Sequence, residues 1–166
     1  MTPNTWCITA LIPALNLLPT KLDTPAARAL LIAIGLQESR LKHRKQVNGP
    51  ARGYLQFETG GVAGVLNHHA IRDMAQEFCD DLDYPVERDA NGKADWECVK
   101  HIQSALEHND VLAAGLGRLN LFWLPQPLPM ATQAWEGWNQ YIAAWNPGKP
   151  HLETWANFYE VAWDYV

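Results

Sequence analysis

A single glutamate stands where an apolar helix should surface, and it is the residue of this chain best placed for acid chemistry. The run Ala26-Ala27-Arg28-Ala29-Leu30-Leu31-Ile32-Ala33-Ile34-Gly35-Leu36 is closed by Gln37-Glu38-Ser39. Two further segments could join it from a distance: Gly53-Tyr54-Leu55-Gln56-Phe57, and Ala143-Ala144-Trp145-Asn146-Pro147-Gly148. Thr24 suits an N-cap and Pro25 a first helical position, and the good helix formers that follow are apolar almost all round. Such a helix is predicted to be buried. A carboxyl at its C-terminal end, half withdrawn from water and near the negative pole of the helix dipole, has its charged form disfavoured and its pKa raised. That is the state a general acid for a glycosidic oxygen requires. Arg40, Lys42, His43, Arg44 and Lys45 pull the other way, because nearby cations favour the carboxylate, and the sequence leaves this balance open.

Taken together, the Glu-Ser pair, the Gly-x-x-Gln segment and the Ala-Ala-aromatic-Asn-x-Gly segment resemble the soluble lytic transglycosylases and goose-type lysozymes. The text around them is similar to the small lysozyme-like proteins of tailed bacteriophages and prophages. The resemblance covers roughly residues 25–60 and 138–165. It implies that Glu38 is the single catalytic acid and that Ser39 orients it or the sugar. Tyr54 and Gln56 would bind substrate, the Gln56 amide meeting an N-acetyl group, and Asn146 would shape the wall facing the acid. Trp145 departs from the pattern, which usually has tyrosine there; an indole offers one donor and no acceptor. Trp145 is thus either a core aromatic or a wall of the site. Glu58, two residues past Gln56, is either a second carboxylate that positions water or a surface charge.

The expectation that follows is a mainly α, lysozyme-like single domain over residues 1–166, with a small β-hairpin or extended loop segment. It would cleave the β-1,4 bond between N-acetylmuramic acid and N-acetylglucosamine in bacterial peptidoglycan, as transglycosylase or as muramidase, without metal or organic cofactor. Glu38, Gln56 and Asn146 are expected to line one open cleft. Two rivals stand beside it. One is a catalytically weak or inactive virion or wall-binding protein of the same fold. The other is an interaction module, which would expose clusters of Trp135, Trp138 or Trp155 and have no groove at Glu38.

The elements needed to position these residues are mostly helical. Residues 1–18 read as a packed helix rather than a signal peptide or membrane span, since they lack a positive start and hold Pro13. Residues 48–64 read as loop or short extended structure. Further helices are predicted from His69 to about Asp81 and from Asp110 to Leu124, the latter capped by Asn109 or Asp110 and stopped by Pro125, Pro127 and Pro129. Asn91-Gly92 is the best hairpin signal. Two amphipathic helices follow from the spacing of Trp135, Trp138, Tyr141, Ile142 and Trp145, and of Trp155, Phe158, Tyr159, Ala162 and Trp163.

Composition narrows the partners. A 166-residue chain is long enough for one real core, and its net charge of -5 gives no support to nucleic-acid binding. Peptidoglycan is the expected partner, bound by a groove, with no stable membrane association and a monomeric state. Synthesis in the cytoplasm without a signal peptide would require a holin pore or virion delivery to reach the periplasm or wall. Cys7, Cys79 and Cys98 are either idle thiols or include a Cys79–Cys98 bridge. Asp89-x-Asn91-Gly92 is only faintly a calcium loop, because Cys98 occupies the position that needs a bidentate glutamate. His68, His69, His101 and His108 lack zinc spacing.

Overall fold

The computed structural model describes all of residues 1–166, and 59% of the chain is helical. Thr2 caps α1 (Pro3–Trp6), which runs through one wider turn at Cys7–Leu11 into α2 (Ile12–Asn16). Pro13, which offers no N–H to the helical ladder, follows directly on that wider turn, where the Ile12 N–H bonds the Cys7 carbonyl five residues back. Then come α3 (Pro25–Ser39), α4 (Thr59–Asn67), α5 (Arg72–Asp81), α6 (Trp96–Ala105), α7 (Asp110–Phe122), α8 (Ala134–Trp145) and α9 (Leu152–Trp163). No helix is long and apolar enough to cross a membrane.

The α3 helix is the axis of the molecule. Thr24 accepts from the Ala27 N–H as its N-cap, and ten of its fifteen residues are buried, on all sides. It packs chiefly against α9 and also against α7, while α8 lies on α9 and α4 on α6. These surfaces meet in a hydrophobic core of 42 buried residues. Gly35 leaves room for Leu41, past the helix end, to fold back so that its Cδ2 lies 2.8 Å from where a Cβ would stand. Arg40 closes the helix in the left-handed conformation at φ 56°, and the Leu41 N–H reaches back to the Gly35 carbonyl at 3.3 Å. The helix end then lies against the Gly53–Phe57 turn, to which Ser39 bonds through the Tyr54 carbonyl at 2.8 Å.

Four expectations change. Gly60-Gly61-Val62 is helix, not loop: Val62, Val65 and Leu66 are buried at helical spacing, and their packing outweighs the poor propensity of Gly60, Gly61 and Gly64. The β-hairpin does not form. Asn91-Gly92 makes a turn, but only one bridge, Arg88 with Ala94, flanks it. Asp89 draws the Asn91 and Lys93 N–H groups onto its own carboxylate, and Asp95 is already the N-cap of α6, so no residues remain for a second strand. The helix predicted from His69 begins at Arg72, because His68 and Ile71 are taken up in the preceding turn. The helix capped by Asn109 ends at Phe122, short of the prolines. Cys7, Cys79 and Cys98 are free, and burial pushes the Cys79 thiol up to about 12.

Candidate active site

At the C-terminal end of α3 the surface opens into a cleft of about 750 Å³. Glu38, Gln56 and Asn146, far apart in sequence, all line it, together with Glu58, Trp145, Tyr141, Asn120, Lys149 and His151. One wall is the Gly53–Phe57 turn with the start of α4. The other is the end of α8 and the loop leading into α9.

Glu38 is half-buried, and its Oε1 accepts a hydrogen bond of 2.6 Å from the Tyr141 hydroxyl. Burial holds its carboxyl above the ordinary carboxylate range; the Tyr141 bond opposes that rise and the nearby Glu58 charge adds to it. The cation run does not decide the balance. Arg40 lies over the Phe158 ring at 4.2 Å, and Arg44 forms a two-pronged pair with Asp110 at 3.0 and 2.6 Å. Both guanidinium groups are engaged elsewhere. Tyr141 in turn is pushed up by burial and by Glu38 beside it, so it remains a phenol and a donor. Its ring stacks on Trp155 of α9 at 5.2 Å and 10° between planes, which fixes where its hydroxyl points.

Trp145 does not supply the hydroxyl that the transglycosylase pattern places there. Its Nε1 donates to the Leu55 carbonyl at 2.8 Å, and its ring packs against Phe57 at 5.5 Å, so it joins the two walls and lines the cleft. The hydroxyl comes from Tyr141, one helical turn earlier on the same face of α8. Sequence reasoning placed Tyr141 in the apolar stripe of that helix and missed this role. The signal was present: residues four apart on a helix are neighbours, so a tyrosine at 141 can reach where one at 145 would.

The remaining motif residues divide into cleft and scaffold. Gln56, at φ 50°, donates through Nε2 to the Gly53 carbonyl at 2.6 Å and to the His43 carbonyl at 3.1 Å. Its N–H groups are therefore engaged by backbone, and its carbonyl oxygen is the part left to meet a ligand. Asn146 is the left-handed C-cap of α8 at φ 44°, followed by Pro147, and its side chain makes no hydrogen bond within the protein. Glu58 is exposed at the cleft edge.

Ser39 and Tyr54 stand outside the cleft. Ser39 is buried, its Oγ 2.8 Å from the Tyr54 carbonyl and 3.1 Å from that of Gly35, and it accepts the Leu41 N–H at 3.2 Å. It fastens the helix end to the turn. Tyr54 is buried under Arg44, whose guanidinium lies 4.6 Å from its ring.

Comparison with protein-family models, with curated proteins and with solved structures finds no match.

What the cleft can do follows from its own groups. An open groove with a half-buried acid, a phenol donor on that acid, a second carboxylate and several amides is equipped for proton transfer to a polar ligand. No group of His, Cys, Asp and Glu is arranged to hold a metal; the Asp89 carboxylate is engaged by its own turn. Lys149 and His151 were not foreseen as cleft residues. They arrive with the loop after Asn146, which is held against α3 by the Gln37 side chain: Nε2 donates to the His151 carbonyl at 2.9 Å and Oε1 accepts from Thr154 at 3.0 Å. The three tryptophans that an interaction module would expose do not cluster at the surface: Trp138 and Trp155 are buried and Trp135 is exposed, while the other exposed tryptophan, Trp96, opens α6.

Proposed function

We propose that this protein is a lysozyme-like enzyme that cleaves the β-1,4 bond between N-acetylmuramic acid and N-acetylglucosamine in bacterial peptidoglycan, with Glu38 as general acid and then base. The observation that carries the reading is the Glu38–Tyr141 pair set in an open cleft. Tyr141 occupies Oε1 and leaves Oε2 without a protein partner, so Oε2 is the oxygen that carries the proton toward a glycosidic oxygen. Burial keeps that proton on at a pH where an exposed glutamate has lost it.

As the proton passes to the leaving oxygen, the glycosidic C–O bond breaks and positive charge builds on the muramic carbon and its ring oxygen. The carboxylate left behind is stabilised by the Tyr141 hydroxyl. It then accepts a proton either from the 6-hydroxyl of the same sugar, which closes an anhydro ring, or from water, which gives a reducing end. Glu58 favours the second course, since a carboxylate in the same cleft can hold a water. Gln56 through its carbonyl oxygen and Asn146 through its free amide position the N-acetyl groups. The protein would work as a monomer, reaching the wall through a holin pore or within a virion.

The test is mass spectrometry of fragments released from purified peptidoglycan. Cleavage on the reading gives muramic-terminated fragments, anhydro or hydrated by one water. Release of peptides only contradicts it in favour of amide-bond cleavage, and release of nothing contradicts it and leaves a non-catalytic wall-binding protein.

A further inference from the structure

A second cavity, of about 430 Å³, opens at the C-terminal end of α7 and shares no lining residue with the cleft. Its apolar walls are Leu121, Phe122 and Leu124, with Leu128 from the proline segment that follows, and its one charged residue is Arg118, only 3% exposed. The guanidinium is underused. Nε donates to the Leu22 carbonyl at 2.8 Å, Nη1 is enclosed without a partner, and Nη2 bonds no protein atom either. Of the two Nη groups only Nη1 is sealed from solvent, so Nη2 is the donor that Arg118 brings to the cavity. Asp23 is the one acid whose charge reaches Arg118, and both its oxygens are taken by Arg28, at 2.7 and 2.6 Å. Lys21 adds a second cation: its Nζ and the Arg118 guanidinium each lie 5.5 Å from the centre of the Phe122 ring. Burial pulls Arg118 down to about 10, which leaves it charged at neutral pH. A buried cation without a counterion of its own costs free energy that an anion in the cavity would offset. The proline segment is held as a wall and not as a slack connection. Gln140 donates to the Pro127 carbonyl at 2.6 Å, and the Tyr159 hydroxyl to the Pro129 carbonyl at 3.0 Å.

We infer that this cavity binds a small aliphatic monocarboxylate, with the carboxylate on Arg118 and the chain along Leu121, Leu124 and Leu128. Each half of that ligand answers one half of the site. A carboxylate brings a single charge and a strong acceptor to the free guanidinium N–H. A phosphate or sulfate would set further oxygens against apolar walls, and a sugar its hydroxyls, where only Gln126 adds a polar side chain. The space is that of about a dozen water molecules, within the range of small-molecule sites. The site is separate from Glu38 and does not rest on the proposed glycan cleavage.

The test is a titration of the isotope-labelled full-length protein with octanoate, acetate and octanol, followed through its backbone amide and arginine side-chain NMR signals. Octanoate at millimolar concentration should shift the signals of residues 118–128 saturably. Acetate, which lacks the chain, and octanol, which lacks the charge, should each bind at least about tenfold more weakly. Arg118→Met keeps most of the length and packing without the charge, and should lower octanoate affinity by about tenfold or more. Gln126→Glu sets a carboxylate on an exposed residue of the cavity wall. It should weaken octanoate by about three- to tenfold with an unchanged melting temperature, and it decides the matter if Arg118→Met does not fold. Absence of saturable shifts in the parent overturns the site, as do shifts centred on the Glu38 cleft. Octanol as tight as octanoate, or equal octanoate affinity in the parent and Gln126→Glu, also overturns it, because Arg118 would then meet no anion. Acetate as tight as octanoate does the same, because the apolar walls would then contribute nothing.

Discussion

Two turns in this molecule carry a glycine at the same φ of 73°, Gly53 and Gly92, and they are held in opposite ways. The Gly53 turn is fastened from outside. Its carbonyls are taken one after another by side chains: Gly53 by Gln56, Tyr54 by Ser39, Leu55 by Trp145 from α8, and Phe57 by Gln103 from α6. The Gly92 turn is held mainly by itself, with Asp89 accepting the Asn91 and Lys93 N–H groups and Arg88 reaching the Gly92 carbonyl at 3.2 Å. Both are punctuation of the same local kind. Only the first is tied to three other elements, and it is the one that forms a wall of the cleft. Convergent side-chain bonds to a turn's backbone, more than the turn's own residues, distinguish a built site from a connection.

The largest effect expected from this contrast comes from alanine at the two glycines. At position 53 a Cβ would meet the Leu106 carbonyl oxygen at 3.0 Å and the Ala113 Cβ at 3.3 Å, besides the left-handed strain. Gly53→Ala should therefore cost about 2 to 4 kcal/mol in urea unfolding. Gly92→Ala meets nothing within 4 Å and should cost only the backbone strain, about 1 to 2 kcal/mol. Equal losses at the two positions would break the comparison.

Ser39→Ala comes next. It removes the latch that joins the α3 end to the Tyr54 carbonyl and leaves a buried acceptor without its partner, a loss of about 1 to 3 kcal/mol. The turn loosens along with Glu38 next to it, so lytic rate should fall although Ser39 lines no part of the cleft. Unchanged stability and rate would place the latch elsewhere.

The smallest effect on stability is expected from Tyr141→Phe, which leaves the ring stack and removes only the hydroxyl. That hydroxyl lowers the Glu38 pKa against burial, so its loss should raise the value further. On the proposed mechanism the protonated form is the active acid, so the lytic rate should fall as pH rises through the Glu38 pKa. In Tyr141→Phe that falling limb should move to higher pH. A limb that moves down, or stays, would mean the phenol does not act on Glu38.

Much of this was legible in the sequence, and unevenly. The buried character of α3 and its Thr24 and Pro25 start follow from local residues alone, and the cap of α7, open in the sequence between Asn109 and Asp110, is taken by Asn109. The three glycines of α4 misled because propensity is local and the packing of Val62, Val65 and Leu66 is not. The hairpin at Asn91-Gly92 failed for a similar reason: the turn residues were right, but their neighbours were claimed by the Asp89 turn and the Asp95 cap. α6 was not read at all. Within the site, the meeting of Glu38, Gln56 and Asn146 was anticipated from motif order. The Tyr141 hydroxyl was not, because a tyrosine in an amphipathic stripe looks like core until the helix end beside it is seen to carry an acid. Ser39 and Tyr54 show the converse. Their motif positions are accounted for by hydrogen bonding and packing beneath the cleft.

The central claim is that the Glu38 proton does the chemistry, and Glu38→Gln tests it most directly, since it keeps size and hydrogen-bonding capacity while removing that proton. The measurement is the rate of clearing of purified peptidoglycan by the two proteins across a pH series. The unmutated protein should show a rate that falls as pH climbs past the raised Glu38 pKa, and the mutant should stay folded, lose roughly 10²-fold or more in rate and lack that limb. Clearing at near the unmutated rate, with the same limb, would contradict the account.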